Sequence, residues 1–378
     1  MDYIKRAIFE KFLQKLKANK VLVLLGARRI GKTIFIGQII EQLNEPYLLL
    51  NGEDATTAEV LQKRTIENYK RLLGTKKILV IDEAQKIPEI GKILKLIVDE
   101  IKGIKIIVTG SSMFDLNDKL GEPLTGRKIT FNMYPLAQIE FASRENLIQT
   151  KDNLEERLIF GSYPELIHYE TTEEKTEYLK EIVNSYLLKD ILVYDNIRNS
   201  SKLLDLLRLL AFQIGKEVSL QELGTQLSMS KNTVERYLDL LSKVFIIYKL
   251  QGFSRNLRKE ITKSSKWYFY DLGIRNTLIA NHNPISLRND IGELWENYLL
   301  SERIKYQSYS GMLVNNYFWR TYEQQEIDWI EDKGGELYAF ELKWNSEKKV
   351  KPPTAWQEAY PKASFEVITK DNYLDWIS

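Results

Sequence analysis

One stretch near the amino terminus combines residue types that bind phosphate. It has the form G-x-x-x-x-G-K-T and runs Gly26, Ala27, Arg28, Arg29, Ile30, Gly31, Lys32 and Thr33. The glycines allow successive backbone N–H groups to curve around a polyphosphate at the start of a helix. Lys32 would then reach the outer phosphates, and the hydroxyl of Thr33 would bind Mg²⁺. The pattern therefore predicts a nucleotide-binding loop with a magnesium ion.

Two acidic residues at the end of an apolar run would complete a hydrolytic site together with the glycine-rich loop. Residues 78–81 have the composition of a buried strand and lead directly into Asp82 and Glu83. We expect Asp82 to hold Mg²⁺ through water, and Glu83 to orient and deprotonate the attacking water. ATP is favoured over GTP because no Asn-Lys-x-Asp string occurs. The alternative is a structural turn that carries acidic residues at a strand end by coincidence.

Ser111 and Arg127 are further candidates for contact with the nucleotide. The strand predicted at residues 105–108 leads into Thr-Gly-Ser-Ser at 109–112, where Ser111 could sense the terminal phosphate beside Glu83. A capped turn that opens the next helix is an equally good interpretation of this string. Arg127 is a candidate charge-stabilising arginine, and an ordinary structural ion pair is its alternative.

A second group of chemical residues lies near the carboxyl terminus. The Gly-Gly pair at 334–335 predicts a two-residue hairpin turn, and the register that this turn sets places Asp328 opposite Glu341. Side chains alternate along a strand, so Lys343 shares a face with Glu341. The hairpin therefore brings two carboxylates together with a lysine beside them.

Like charges directly opposite each other destabilise a strand pair, and a divalent cation would account for them. We expect Asp328 and Glu341 to bind the metal and Lys343 to position a nucleophilic water and the scissile phosphate. Glu296, on a helix predicted at residues 291–304, would add a further ligand. In the alternative interpretation, Asp328 bonds exposed backbone, and Glu341 and Lys343 form a surface ion pair.

The middle of the chain has the pattern of a helix-turn-helix. Ser219 and Glu222 have the spacing of a capping box at the start of a short helix. A turn at 228–230 separates that helix from a second one predicted at 231–241. The residues expected to contact DNA lie at the start of the second helix and are Lys231, Asn232, Thr233 and Arg236.

A basic loop follows, between strands predicted at 244–250 and 267–270. Residues 251–276 hold six basic and two acidic residues, a net charge of +4, whereas the whole chain carries only +2. The positive charge predicts contacts with DNA phosphates, for which the candidates are Arg255, Arg258 and Lys259. A winged helix that serves only as an interdomain lid is the alternative.

Several strings together resemble the predicted archaeal and bacterial ATPases of the AAA+ superfamily. They are the loop at 26–33, Asp-Glu-Ala-Gln-Lys-Ile-Pro at 82–88, Thr-Gly-Ser-Ser at 109–112, Leu-Thr-Gly-Arg at 124–127 and Tyr-Pro-Leu at 134–136. The resemblance covers nearly the whole chain. It implies ATP as ligand, an ASCE-type parallel sheet and a winged-helix segment after the ATPase domain.

The carboxyl-terminal residues resemble the PD-(D/E)xK nuclease superfamily. Its Asp, Glu-x-Lys and upstream helical Glu correspond here to Asp328, Glu341 with Lys343, and Glu296. The chain departs from the pattern in having Ile327 before Asp328. The resemblance implies a restriction-endonuclease-like fold and a metal-dependent cut in DNA.

The order of apolar patterns predicts how the chain is divided. The 378 residues are expected to form an α/β P-loop ATPase domain at 1–145, a helical connector at 146–200, a winged-helix domain at 201–287 and a small α/β nuclease-like domain at 288–378. The predicted function is Mg²⁺-dependent ATP hydrolysis coupled to DNA binding and a nuclease-like domain. The alternative is an ATP-dependent switch whose last domain is a catalytically silent DNA- or protein-binding module.

Composition limits the remaining function classes. The chain has no cysteine and two histidines, which excludes disulfides and thiolate metal sites and leaves oxygen ligands for Mg²⁺ or Mn²⁺. No apolar run approaches the length of a membrane span, and the charged amino terminus lacks a signal-peptide core. We therefore expect a cytoplasmic protein with ATP and DNA as partners, and a second copy or another protein as a further partner.

Overall fold

The structure, a computed structural model, describes residues 3–111, 120, 124–187, 200–254, 265–345 and 350–378. The chain divides into two compact units. One unit consists of Met1–Pro135 with Lys243–Phe245, and the other of Leu136–Ser242 with Ile246–Ser378. Each unit contains its own sheet.

The described part of the first unit is built on a five-stranded parallel sheet with the order β2-β3-β4-β1-β5. The strands are β1 (Val21–Leu25), β2 (Tyr47–Asn51), β3 (Ile78–Asp82), β4 (Lys105–Gly110) and β5 (Lys128–Asn132). All five side chains of β1 are buried, because an unbroken apolar run suits a strand that is covered on both faces. The strands predicted at 78–81 and 105–108 are confirmed as β3 and β4, and β5 is an additional strand beside β1.

One helix precedes β1, and four others lie between successive strands from β1 to β4, as parallel pairing requires. They are α1 (Phe9–Lys15), α2 (Lys32–Leu43), α3 (Ala55–Gln62), α4 (Ile66–Leu73) and α5 (Ile90–Glu100). Helix α2 begins at Lys32, so the last two residues of the glycine-rich loop belong to its first turn. The loop thus joins the carboxyl end of β1 to the amino end of α2.

The second unit contains a seven-stranded mixed sheet in its described residues, with the order β12-β11-β10-β9-β7-β8-β6. Its strands are β6 (Glu217–Val218), β7 (Ile247–Gly252), β8 (Ser265–Phe269), β9 (Asn315–Arg320), β10 (Glu326–Lys333), β11 (Glu336–Leu342) and β12 (Ser364–Ile368). The strand predicted at 244–250 begins only at Ile247, because Phe245 has a φ of 62°, which no extended strand adopts.

Helices and short helical turns surround this sheet. The α-helices are α6 (Gln138–Phe141), α7 (Leu147–Asp152), α8 (Leu154–Phe160), α9 (Thr172–Glu181), α10 (Ser200–Phe212), α11 (Leu220–Leu227), α12 (Lys231–Lys243), α13 (Leu272–Leu278), α14 (Ile291–Ser310), α15 (Thr354–Ala359) and α16 (Tyr373–Ile377). Helix α14 continues six residues beyond the predicted end at 304. None of the helices in these described ranges is long and apolar enough to cross a membrane.

One pairing in the second sheet differs from the predicted division of the chain. Strands β7 and β9 pair in parallel, with Gln251 opposite Tyr317, so the sheet is continuous across the boundary expected at 287/288. Phe253, at the end of β7, is buried in the same apolar cluster as Trp319 and Trp356. Burial of the Phe253 ring therefore joins the segments before and after the expected boundary. Local hydrophobic patterns cannot reveal this contact, because they carry no information about pairing between distant strands.

Candidate functional site

The glycine-rich loop holds its lysine in a buried position. Gly31 adopts a φ of 88°, a conformation that favours glycine, and α2 starts at the next residue. The Lys32 side chain is only 6% exposed, and its Nζ donates hydrogen bonds of 2.8 Å to the carbonyl oxygens of Gly26 and Ala27. The ammonium group therefore points back into its own loop, where a polyphosphate is expected to bind.

The other predicted loop residues differ in exposure. Ala27 and Ile30 are buried, and Arg29 is exposed with a φ of 64°. The guanidinium group of Arg28 lies 4.0 Å from the carboxylate of Glu53.

The predicted magnesium ligands lie side by side. The Thr33 hydroxyl donates a 3.0 Å hydrogen bond to Oδ2 of Asp82, and the Thr109 hydroxyl bonds to the other carboxylate oxygen. The backbone N–H of Glu83 donates to Oδ1 of Asp82 at 3.2 Å and to Thr109 at 3.1 Å. A hydroxyl and a carboxylate in contact are the oxygen donors that Mg²⁺ prefers, so these residues fit the ion.

Gln85 links the predicted base Glu83 to Ser111, a candidate for contact with the nucleotide, and sequence reasoning did not single it out. Its side-chain amide donates to the carboxylate of Glu83 and, at 3.1 Å, to the hydroxyl of Ser111. Gln85 and Ser111 are almost completely buried. In the sequence, the only indication of this role is that a polar residue follows the candidate base Glu83 by two positions in the Asp-Glu-Ala-Gln string.

These residues converge because the strands are parallel. Leu25 pairs with Gly110, and Ile81 pairs with Val108, so the ends of β1, β3 and β4 share one edge of the sheet. A groove of about 1010 Å³ begins at Thr33, Asp82 and Thr109 and continues along α2 towards β2. Clefts at the carboxyl ends of strands are the usual ligand sites of open α/β sheets.

Arg127 lies elsewhere, which corrects its prediction as a residue of this site. It immediately precedes β5, and its carbonyl oxygen accepts a 2.9 Å hydrogen bond from the backbone N–H of Val21, the first residue of β1. Arg127 is therefore at the opposite edge of the sheet from the loop. Its Nε forms a 2.7 Å ion pair with Asp99. Within this chain, the alternative interpretation of Arg127 as a structural ion pair therefore applies.

The carboxyl-terminal hairpin has the predicted register. Gly334 and Gly335 have φ angles of 63° and 90°, and Lys333 pairs with Glu336 and Trp329 with Phe340. Continuation of that register puts Asp328 beside Glu341. The prediction succeeded because a two-residue turn with two positive φ angles leaves the strands a single pairing.

The hairpin residues also make the contacts that the alternative interpretation describes. Asp328 accepts a 2.9 Å hydrogen bond from the backbone N–H of Leu342, and Lys343 lies 2.6 Å from Glu341 and 4.0 Å from Asp328. The side chains of Asp328 and Glu341 are each only 13% exposed. Glu341 and Lys343 therefore do not form a surface ion pair, because most of the Glu341 side chain is removed from water.

Two further carboxylates and a second lysine complete this group. Glu296 on α14 accepts a 2.5 Å hydrogen bond from the Tyr268 hydroxyl and lies 3.5 Å from Nζ of Lys266. The same ammonium group contacts Glu326 at the start of β10. We refer to Glu296, Glu326, Asp328 and Glu341 as the acidic cluster.

Burial raises the pKa of three carboxyl groups in the acidic cluster. It raises the pKa of Glu296 to about 7, and burial together with the charge of Asp328 raises that of Glu341 to about 7. The pKa of Asp328 is also raised by burial. Burial lowers the pKa of Lys266, but the carboxylates of Glu296 and Glu326 outweigh it, so the pKa lies above its ordinary value.

The acidic cluster does not match the three-carboxylate metal site predicted from Glu296, Asp328 and Glu341. Among the described residues, no group of three or more His, Cys, Asp or Glu side chains is arranged as a metal site. An ammonium group contacts each predicted ligand instead. Sequence reasoning missed Lys266 because it belongs to β8, far from the hairpin in the chain.

The predicted DNA-contacting residues of α12 lie at its amino end. Lys231, Asn232 and Arg236 are exposed, and Thr233 is partly buried, with its backbone N–H donating at 3.1 Å to the Ser230 hydroxyl. The preceding helix α11 is capped by Ser219, whose hydroxyl accepts from the backbone N–H of Glu222 at 3.3 Å. The two helices and the turn between them are as predicted.

The basic loop is only partly described. Arg255, Arg258 and Lys259 lie outside the described residues. Two other basic residues that contribute to the local charge of +4 are buried: Lys266 in the acidic cluster, and Arg275, whose guanidinium lies 2.5 Å from Asp290. The local charge therefore overstates the positive surface, because these two residues balance internal carboxylates.

Family models match three consecutive parts of the chain. Residues 18–142 match the AAA domain. Residues 151–285 and 291–375 match two domains of unknown function, DUF8612 and DUF4143.

Similar proteins occur in archaea and bacteria. An uncharacterized protein of Methanocaldococcus jannaschii is 27% identical over 373 residues, which cover 92% of this chain and 80% of the relative. An uncharacterized protein of Mycobacterium tuberculosis is 25% identical over 331 residues, which cover 86% and 70%. The solved structure of RuvB from Thermotoga maritima is similar over 65% of this chain and 90% of its own, with 15% identity and a TM-score of 0.35. At that TM-score the likeness supports no inference about this chain.

Proposed function

We propose that the protein binds MgATP at the loop of residues 26–33 and hydrolyses it with Glu83 as general base. The observation that carries the proposal is the convergence of Lys32, Thr33, Asp82 and Glu83 at one edge of the parallel sheet. A buried ammonium group, two oxygen ligands for a metal and a carboxylate are the parts that phosphoryl transfer to water needs.

Lys32 and the loop amides bind the phosphates in this proposal. The present partners of Lys32 include two neutral carbonyl oxygens. Phosphate oxygens carry a full negative charge, and charge-assisted hydrogen bonds are roughly twice as strong as neutral ones. A polyphosphate therefore replaces these partners without leaving the ammonium group unpaired.

Thr33 and Asp82 would hold the magnesium ion, which neutralises charge on the phosphates when it is bound. Glu83 orients the attacking water and takes its proton. Gln85 holds the Glu83 carboxylate and connects it to Ser111 at the end of β4. This link makes Ser111 and Gln85 positioning residues for the base.

Two substitutions test the ATPase proposal. Lys32→Ala should abolish ATP binding in calorimetry, and Glu83→Gln should retain binding while phosphate release nearly stops. Lys95→Ala, which removes an exposed lysine of α5, is the matched control and should behave as the unchanged protein. Unchanged phosphate release in both site variants would refute the assignment.

We further propose that the ATPase is coupled to DNA binding by a winged helix. The support is the succession of two helices joined by a tight turn, α11 and α12, and two antiparallel strands, β7 and β8, with exposed Lys231, Asn232 and Arg236 on α12. Such a helix is positioned to enter a major groove, and its basic residues attract the backbone.

Charge reversal tests this part of the proposal. The double variant Lys231→Glu/Arg236→Glu should weaken binding of duplex DNA and flatten its dependence on salt, because fewer counterions are released. Lys95→Glu/Lys151→Glu, which reverses two exposed lysines of α5 and α7, is the control with the same change in net charge. Equal affinity and equal salt dependence in both variants would contradict a role for α12.

For the last part of the chain we propose a nuclease-like fold. Its support is the hairpin that places Asp328 beside Glu341 and Lys343, with Glu296 on the helix α14. Plasmid DNA with Mg²⁺ or Mn²⁺ separates the two hypotheses for this domain. Cleavage that Asp328→Ala/Glu341→Ala removes would support an enzyme, whereas salt-sensitive DNA binding without cleavage would support a silent module in an ATP-dependent switch.

A further inference from the structure

We propose that Lys266 is the resident cation of the acidic cluster and keeps divalent metals out of it. The proposal concerns only the second unit and does not depend on ATP hydrolysis.

The contacts of the two lysines divide the cluster between them. Nζ of Lys266 lies 3.5 Å from Glu296 and contacts Glu326. Nζ of Lys343 lies 2.6 Å from Glu341 and 4.0 Å from Asp328. Every carboxylate of the cluster therefore has an ammonium group within ion-pairing distance. A buried charge needs such a partner, and these partners come from the chain itself.

Two uncharged groups also donate hydrogen bonds to carboxylates of the acidic cluster. The Tyr268 hydroxyl bonds to Glu296, and the backbone N–H of Leu342 bonds to Asp328. A divalent ion would have to break several of these contacts at once and would then lie beside the positive charge of Lys266. Repulsion between the two cations in this poorly solvated place opposes binding.

Lys266 is held firmly in this position. It lies within β8, where it is paired with Leu250 on one side and Glu217 on the other, and its side chain is 3% exposed. Its ammonium group lies 5.3 Å from the centre of the Phe318 ring, which adds a favourable cation–π contact. Lys343, in contrast, keeps 32% of its side chain exposed. Lys266 is thus the less replaceable of the two cations.

Substitution of Lys266 should convert the cluster into a metal site. Lys266→Met removes the charge and keeps most of the length of the side chain. The nucleotide-free full chain is titrated with Mn²⁺ alone, and free Mn²⁺ is followed by electron paramagnetic resonance. We expect Lys266→Met to bind one more Mn²⁺ per chain than the unchanged protein, and Lys266→Met/Asp328→Asn to lose it again.

Two controls isolate the charge at this position. Lys266→Arg keeps the positive charge and should gain no site. Lys249→Met removes an exposed lysine of the neighbouring strand β7 and should gain none either. An extra site in either control would overturn the proposal.

The unchanged protein provides an independent test. If the unchanged protein binds Mn²⁺ and Asp328→Asn abolishes that binding, Lys266 does not exclude the metal. A folded Lys266→Met variant without an additional site would also refute the proposal. Should that variant fail to fold, Lys266→Met/Glu326→Gln removes the lysine together with one paired carboxylate, and the same gain of one Mn²⁺ is expected of it; its absence would count against the proposal equally.

Discussion

Both units bury a lysine side chain almost completely, and the described contacts of the two ammonium groups differ. Lys32 in the first unit donates to two neutral backbone carbonyls. Lys266 in the second unit contacts two carboxylates, Glu296 and Glu326. Neutral partners can be exchanged for the stronger oxygens of a phosphate, whereas carboxylates hold an ammonium group so tightly that little can replace them. Similar burial thus suits one lysine to ligand binding and the other to permanent charge compensation.

The largest expected effect is on the stability of the second unit. Lys266→Met in a buffer with chelator should lower its free energy of unfolding by about 3–5 kcal/mol, because buried carboxylates lose their partner. All seven tryptophans lie between residues 267 and 376, so tryptophan fluorescence during urea unfolding follows this unit alone. The exposed control Lys249→Met should change it by no more than about 0.5 kcal/mol. Equal losses of stability in Lys266→Met and Lys249→Met would show that Lys266 contributes no more to stability than an exposed lysine does.

The second expected effect separates stability from activity in the first unit. Lys32→Met takes the donor from two neutral carbonyls, so unfolding followed by far-ultraviolet circular dichroism should show a free energy of unfolding lower by about 1–2 kcal/mol. ATP turnover should nevertheless fall about 100-fold to 1,000-fold, because a charge that stabilises the transferred phosphate is gone. A large loss of stability with unchanged turnover would mean that Lys32 is a structural residue like Lys266.

The third prediction concerns pH. The pKa of Glu296 and of Glu341 is about 7 in the folded chain, against an ordinary value of 4.5. Protonation therefore favours the folded state: this contribution is complete below about pH 4.5 and is lost as the pH rises through about 7. We expect the fluorescence-detected stability to fall over this range by up to about 3 kcal/mol for each group. Glu296→Gln should flatten the profile, and an unchanged slope in this variant would contradict the assignment.

The smallest expected effect tests one neutral hydrogen bond of the acidic cluster. Tyr268→Phe removes the donor to Glu296 and should cost about 1–2 kcal/mol by the same fluorescence measurement. It leaves both ammonium groups in place, so no additional Mn²⁺ site should appear. A new site in this variant would show that hydrogen bonds, rather than Lys266, exclude the metal.

Local patterns predicted those parts of the fold that depend on neighbours in the chain. The glycine-rich loop lies between a strand and a helix as expected, because an apolar run, glycines and a helical period act within about twenty residues. The hairpin register followed from one Gly-Gly turn. The same logic located Asp82 and Glu83 at the end of β3.

Predictions that needed distant neighbours were less successful. The charge of Lys266 and Arg275 was assigned to a solvated loop, whereas both are buried against acidic residues that follow them by 15 or more positions in the chain. Arg127 stands near the other motifs in the sequence but immediately precedes β5, at the opposite edge of the sheet. A count of charges along the chain cannot distinguish a surface from an interior.

The sequence by itself determined the phosphate loop, the strand-end acids, the helix-turn-helix and the carboxyl-terminal hairpin, because each is specified by residues close together in the chain. Only the tertiary structure decided that β7 joins β9 in one sheet, that Gln85 connects Glu83 to Ser111, and that Lys266 lies in the acidic cluster. Those contacts depend on which surfaces are buried together. Burial is a property of the folded chain, and it turned a basic residue of a predicted DNA-binding loop into the internal partner of two carboxylates.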